Sequence, residues 1–406
     1  MTAVTVTAVG ARGDGVAQVD GRPIFVPGAV PGDTAWVEGG RIVRIEAGAN
    51  RAKPRCPHFG PCGGCSLQHL SDAHYAQWLS VPIVRALAQH DLSAEINEPL
   101  ISLPATRRRA ALTGKKSGGS VHLGFSGKRS HEVEDIHDCA VMHPQLEAAV
   151  GPLRTFLKSC LPTKAKARAS LTLADNGLDI HLDGLPLRRL DVLQDIPVLA
   201  AALDGAVRIT GQDGPDVDIL WQSEAPRMHI FGASVELPVN SFLQATKHGE
   251  AALGNTASRW AEGGKSGADL FCGLGTFSFA LAKHMKIDGF EASGVAVKAM
   301  HRALRPEGMH GVQANHRDLF RRPLTPPELK DYDVVLFDPP RAGAKAQSEQ
   351  LAQSAVDTVI AISCNPATFA RDARTLVDGG YALEEVQPVG QFLWSTHVEL
   401  AALFKR

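Results

Sequence analysis

Two short apolar runs in the last quarter of the chain constrain its fold more than any other feature. Residues 332–337 (YDVVLF) lead into Asp338-Pro339-Pro340-Arg341, and residues 357–362 (DTVIAI) lead into Ser363-Cys364-Asn365-Pro366. Both read as buried strands, because each is short, apolar and closed by a proline that cannot continue a ladder. In an open α/β sheet the carboxyl ends of parallel strands line the ligand crevice, so both tips open into one site. A thiol, a carboxylate and a guanidinium then meet there. Cys364, at a strand tip, is the candidate nucleophile; a cysteine that merely fills a core position is the competing reading.

The surrounding pattern agrees with such a sheet. From about residue 237 strand-like runs (267–270, 289–292, 334–337, 358–362) alternate with helix-like ones (276–285, 295–304, 346–354, 367–376), which predicts a doubly wound α/β layer. The first fifty residues carry five short β-branched runs between Gly and Pro turns (4–9, 15–19, 23–26, 34–37, 42–45), the pattern of a small closed barrel. A cysteine-rich loop at 55–68 precedes a helical stretch at 74–87. Between about 94 and 235 strand candidates (171–173, 178–182, 207–209) mix with a helix expected over 145–161. The expected domains are 1–52, a small barrel; 53–236, a mixed α/β segment with the cysteine loop; and 237–406, the doubly wound layer.

A chain of 406 residues with 44% hydrophobic and 21% charged residues is an ordinary globular protein. Its net charge of -1 leaves a nucleic-acid partner to local patches. Candidates are Arg107-Arg108-Arg109, Lys115-Lys116, Lys128-Arg129 and the stretch 164–168, where a phosphate-contacting role competes with plain solvated surface. No apolar stretch approaches the ~20 residues that span a bilayer, and the opening Met1-Thr2-Ala3-Val4-Thr5 is unlike a secretory leader, so the expected location is the cytosol. Nothing in the chain requires more than a monomer.

Seven cysteines in such a chain argue against a disulfide framework. Cys56-x5-Cys62-Gly63-Gly64-Cys65 gathers three soft ligands in one loop, and Cys139 is the best fourth. Zinc and an iron–sulfur cluster both suit that spacing, as do structural thiols without metal. Cys160 and Cys272 read as packing residues.

After the first strand of the α/β layer comes Asp269-Leu270-Phe271-Cys272-Gly273-Leu274-Gly275-Thr276. The two glycines permit a sharp turn and a close ligand approach, but the third glycine of a dinucleotide fingerprint is missing, which disfavours a bound pyrophosphate. Glu291 ends the next strand, where a carboxylate binds ribose hydroxyls. With Asp318, the set suits an adenosine-bearing cofactor without pyrophosphate, S-adenosylmethionine foremost.

Asp269-Leu270-Phe271-Cys272-Gly273-x-Gly275, Asp338-Pro339-Pro340-Arg341-Ala342-Gly343, Ser363-Cys364-Asn365-Pro366, His397-Val398-Glu399 and Ser241-Phe242-Leu243-Gln244 together resemble the RNA uracil-5-methyltransferases. The amino-terminal barrel, with Gly15-Val16-Ala17 and Val26-Pro27-Gly28, resembles the RNA-binding TRAM domain. The resemblance implies a Rossmann-like methyltransferase domain that uses S-adenosylmethionine. It implies a thiolate of Cys364 adding to uracil carbon 6 and Glu399 as the base that later removes the carbon 5 proton. It places Gln244, Phe271, Thr276, Glu291, Asp318 and Asp338 around the cofactor or the target base. Thr276 departs from the Asn common in related sequences. Arg341 is a candidate for favouring the thiolate or for a structural ion pair, and Phe242 for stacking on an extruded base. The cysteine pattern, followed by Gln68-His69, is similar to members with a 4Fe-4S cluster, which points to 23S ribosomal RNA as substrate, with transfer RNA as the alternative. A non-catalytic RNA-binding protein that kept the fold is the rival from another class.

Overall fold

At Val6 and Thr7 the amino-terminal chain changes partners: the Val6 amide donates to the Asp33 carbonyl, and the next amide, of Thr7, donates to Val16. The run expected as one strand over 4–9 is therefore two, β1 (Thr2–Thr5) and β2 (Ala8–Val9). With β3 (Gly15–Val19), β4 (Arg22–Val26), β5 (Thr34–Glu38) and β6 (Arg41–Glu46) they form two three-stranded sheets, β1-β5-β6 and β2-β3-β4. Val6, Ala17, Val26, Ala29 and Ala35 fill the small core. The computed structural model describes residues 1–128, 130, 132–304 and 311–406; Arg129 of the basic pair Lys128-Arg129 lies outside the described residues.

Beyond the cysteine loop comes α1 (Asp72–Ala88), capped by the Ser71 side chain, then the two short strands β7 (Glu95–Ile96) and β8 (Leu100–Ile101). The middle of the chain builds a seven-stranded sheet from β9 (Arg109–Ser117), β10 (Ser120–Ser126), β11 (Val133–Asp135), β12 (Lys166–Ala174), β13 (Gly177–Asp183), β14 (Ala206–Gln212) and β15 (Val217–Gln222), ordered β11-β10-β9-β12-β13-β14-β15. Its helices are α2 (Pro144–Ala148), α3 (Val150–Cys160) and α4 (Leu190–Ala202). The single helix expected over 145–161 is divided, since Pro152 has no amide proton for the Ala148 carbonyl. Leu153 and Leu157 of α3 and Ile196 and Leu199 of α4 pack on Leu112, Leu123, Leu171 and Ile180 of the sheet.

A hairpin, β16 (Arg227–Ile230) and β17 (Ala233–Glu236), leads to the last layer. Its elements are α5 (Lys247–Trp260), β18 (Ser266–Leu270), α6 (Thr276–Leu281), β19 (Lys286–Glu291), α7 (Gly294–Leu304), β20 (Val312–His316), α8 (Pro326–Leu329), β21 (Val334–Phe337), α9 (Lys345–Ala352), β22 (Thr358–Ser363), α10 (Pro366–Asp378), β23 (Ala382–Gly390) and β24 (Glu399–Lys405). The sheet runs β20-β19-β18-β21-β22-β24-β23-β7, with β8 also on β23. Order reverses at β18, so the crevice opens between the ends of β18 and β21. β24 is antiparallel to both neighbours.

Residues 53–236 divide between two layers: α1, β7 and β8 join the methyltransferase-like sheet, and α1 packs on α10 and β23. Tyr75, Trp78, Leu79, Ile83 and Leu87 of α1 enter its core; burial of each such side chain contributes about 1.5–3 kcal/mol. Among the described residues no helix is long and apolar enough to cross a membrane.

Candidate active site and thiol cavity

The ladder register brings the chemistry together. β22 and β24 pair antiparallel, and their ladder ends with Ser363 opposite Leu400, the neighbours of Cys364 and Glu399; the Glu399 carboxylate lies close enough to act on the Cys364 thiol. Cys364 is half-buried at its strand tip, and Glu399 is buried at the start of β24. Asn365 locks the turn: its Oδ1 accepts from the Ala367 amide at 3.2 Å as the cap of α10, with Pro366 at the first helical position. Its Nδ2 donates to the Arg341 carbonyl at 3.0 Å, as does the Thr368 hydroxyl at 3.2 Å. The tips of β21 and β22 are thereby tied.

Three acids and one guanidinium then share a poorly hydrated space. Burial pushes the Cys364 thiol up, the carboxylates of Glu399 and Asp338 push it further, and Arg341 opposes them. Burial, then Asp338, raises Glu399 to about 8, against the lowering influence of Gln391 and Arg341. Burial alone raises Asp338 to about 7. All three groups are held near or above neutrality, the condition under which proton transfer at ordinary pH is efficient.

The neighbouring turn after β18 is wound left-handed at Phe271 (φ 63°), Gly273 (φ 57°) and Gly275 (φ 87°). A Cβ on Gly275 would meet Phe279 and Met300 at 2.7 and 2.8 Å, whereas one on Gly273 would meet nothing within 4 Å. The first glycine thus faces open space and the second serves packing. Glu291 accepts from the Gly273 amide at 3.0 Å and the Ser293 amide at 2.7 Å, holding the turn. Thr276 begins α6. Asp269, fully buried, accepts from Ser278 at 2.6 Å, and burial raises it to about 7. Asp318 accepts from the amides of Phe320 and Arg321 at 3.0 and 3.2 Å, which sets the Phe320 ring 5.3 Å from that of Phe271.

Gln244 reaches this site through a partner that sequence reasoning missed. Gln391 donates to Gln244 Oε1 at 2.6 Å, accepts from the Ala245 amide at 2.7 Å and also hydrogen-bonds Glu399. A lone glutamine between two strands leaves no signal in a sequence. The basic triplet also divides. Arg108 is buried, pairs with Glu250 and donates to the Gln244 carbonyl at 3.0 Å. Arg109 donates to the Leu243 carbonyl at 2.9 Å and lies 5.3 Å from the ring of the exposed Phe242. Arg107 lies 5.5 Å from the Phe392 ring. The reading of the triplet as solvated surface fails for Arg108, because a carboxylate 142 residues away in the chain compensates its burial.

Cys56, Cys62, Cys65 and Cys139 line one cavity of about 280 Å³, together with Arg107, Arg341, Phe392 and His397. All four are free thiols. Burial pushes Cys62 and Cys139 up and Cys65 up to about 12, with the neighbouring sulfurs adding to each. Among the described residues no group of three or more His, Cys, Asp or Glu side chains is drawn together closely enough to hold a metal ion. The donor set, four soft thiols lining one cavity, is of the chemical kind that iron–sulfur centres take. Cys160 and Cys272 are buried elsewhere.

Comparison with known proteins gives four findings. The family model described as tRNA (Uracil-5-)-methyltransferase matches residues 239–406. An uncharacterized RNA methyltransferase of Agrobacterium fabrum is 38% identical, with 99% of each chain covered. The 23S rRNA (uracil(1939)-C(5))-methyltransferase RlmD of Edwardsiella ictaluri is 31% identical over 99% of this chain and 95% of its own. Among solved structures, the tRNA (uracil-54, C5)-methyltransferase of Pyrococcus abyssi, in complex with S-adenosyl-L-homocysteine, superposes with a TM-score of 0.75 at 22% identity, over 99% of this chain and 100% of the other. That likeness speaks to the fold.

Proposed function

Since the chain belongs to the RNA uracil-5-methyltransferase family and is an S-adenosylmethionine-dependent RNA (uracil-C5)-methyltransferase, we propose that it methylates a uridine of 23S ribosomal RNA through a covalent Cys364–uracil adduct. The observation that carries the mechanism is that Glu399 and Arg341 both act on the Cys364 thiol where the ladder of β22 and β24 ends. Full-length similarity to RlmD and the four-thiol cavity support the ribosomal substrate.

Uracil carbon 5 is a weak nucleophile. Cys364, as thiolate, adds to carbon 6, and the electron pair moves to give an enolate with carbon 5 nucleophilic. Arg341 favours the thiolate electrostatically. The residues around Gly273, with Glu291, Phe271, Thr276 and Asp318, would hold S-adenosylmethionine, which would supply the methyl group that bonds to carbon 5 and leave as S-adenosylhomocysteine. Gln244 and Asp338 face the base or the methyl donor. Glu399 takes the carbon 5 proton; the carbon 5–carbon 6 double bond reforms, the sulfur–carbon bond breaks and Cys364 leaves as thiolate. Phe242, exposed and backed by Arg109, offers a face to an extruded base.

In the same reading Cys56, Cys62, Cys65 and Cys139 hold a 4Fe-4S cluster with a structural task, because methyl transfer needs no redox step. The amino-terminal barrel acts as a TRAM-like RNA-binding module, and the enzyme works as a cytoplasmic monomer. The test is transfer of labelled methyl groups from S-adenosylmethionine to unmodified 23S RNA and, in parallel, to unmodified transfer RNA. Methyl incorporation into the ribosomal RNA, abolished in Cys364→Ala, is expected. Full activity of that variant would overturn the covalent route, and methylation of transfer RNA alone would overturn the substrate.

A further inference from the structure

We propose that the cysteine-rich loop is a clamp on the segment that presents Glu399, and that it closes on Trp394 with Tyr75 as a positioning residue. The inference deepens the reading above and rests on it for the role of Glu399.

Residues 391–398 join β23 to β24 and carry the chain into Glu399. Trp394, at their centre, is buried and left-handed (φ 58°), a conformation that a bulky side chain adopts only when its surroundings enforce it. Those surroundings come from the other end of the chain. The amides of Ser66 and Leu67 both donate to the Trp394 carbonyl, at 2.8 and 2.9 Å. The Trp394 amide donates to the hydroxyl of Tyr75, a buried residue of α1, at 3.0 Å. The Arg55 guanidinium stands 5.5 Å from the indole. Every backbone hydrogen-bonding group of this strained residue is therefore held by residues 66–75.

The holding residues adjoin the cavity thiols. Ser66 follows Cys65, Arg55 precedes Cys56, and the amides of Arg55 and Cys56 share one acceptor, Gln68 Oε1, at 3.1 and 3.0 Å. Across the cavity the wall is Phe392, Ser395, Thr396 and His397. A cluster that draws four thiolates together fixes residues 55–56 and 65–66, and with them the Trp394 carbonyl and the entry into Glu399. Gln391 extends the same segment to Gln244. The clamp acts on the last chemical step, removal of the carbon 5 proton. The earlier addition of Cys364 depends on the tip of β22, to which neither the amide nor the carbonyl of Trp394 is bonded.

The test compares full-length wild type with bound cluster, the same protein after chelation of its iron, and cluster-bearing Tyr75→Phe, which deletes one acceptor. Hydrogen–deuterium exchange at residues 391–398 is read beside the fraction of protein covalently joined to a 23S RNA fragment during turnover. Expected in Tyr75→Phe are several-fold faster exchange at 391–398 with β22 unchanged, several-fold more trapped adduct, and a lower kcat at unaltered KM. Chelation is expected to speed exchange in the same segment. Faster exchange with an unchanged adduct fraction would make Tyr75 merely structural, and unchanged exchange in either form would overturn the clamp. Absence of any adduct even in Glu399→Gln would instead sink the covalent reading, while the exchange measurement would still decide the clamp.

Discussion

Cys364 stands at the end of a strand, whereas Cys56, Cys62, Cys65 and Cys139 stand on irregular chain between elements. Ladder hydrogen bonds on both sides of β22 fix the strand that leads into the first, and Glu399 begins the adjoining strand close to it. The four cavity thiols are gathered from two segments more than seventy residues apart, and burial holds three of them protonated in the absence of a positive centre. A site on strand ends is preorganised by the fold. One made of loops depends on what it binds, since metal ligation requires the thiolates and releases their protons.

Three measurements would break or sharpen that contrast. Glu399→Gln leaves the ladder intact and removes the base, so turnover is expected to fall by roughly 10²–10⁴-fold while methylated RNA stays joined to Cys364. Normal turnover without a trapped adduct on denaturing gels would reassign the base. Next in size is the pH dependence. Both Cys364 and Glu399 act deprotonated, Glu399 lies at about 8 and the thiol is raised. Accordingly kcat/KM is expected to climb with pH through that region, by about tenfold per unit where one group titrates. In Glu399→Gln the profile for adduct formation is expected to move to lower pH, because a carboxylate that opposes thiol ionisation is gone. A profile flat from pH 6 to 9 would contradict both. The smallest effect is that of Cys65→Ala on adduct formation. It is expected to abolish iron binding yet leave the single-turnover rate of Cys364 addition within roughly threefold, as sites coupled only through the shared wall residue Arg341 behave. A large loss in that rate would show that the two regions are one.

The same contrast governs what could be read in advance. The strands ending at Leu270, Phe337 and Ser363 were legible because buried parallel strands are continuous apolar runs. β23 escaped, since Glu384, Glu385, Gln387 and Pro388 interrupt its apolar pattern while Trp260 and Asn97 take up the Glu385 carboxylate. β9 was hidden for a similar reason: it opens in an arginine cluster and closes in lysines. Arg108 looked like surface because its partner Glu250 is remote in the chain.

The sequence by itself determined the α/β layer, the turn at Gly273 and Gly275, and the candidacy of Cys364, since these follow from local periodicity, backbone freedom and the residue at a strand tip. It also grouped Cys56, Cys62 and Cys65 by their spacing, with Cys139 as a candidate fourth from elsewhere in the chain. Only the tertiary structure decided that Glu399 lies close to Cys364, that Gln391 links Glu399 to Gln244, and that Ser66, Leu67 and Tyr75 grip Trp394. Each of these is a contact between distant segments, set by ladder register and by the packing of α1 on the last sheet, which no local window of residues encodes.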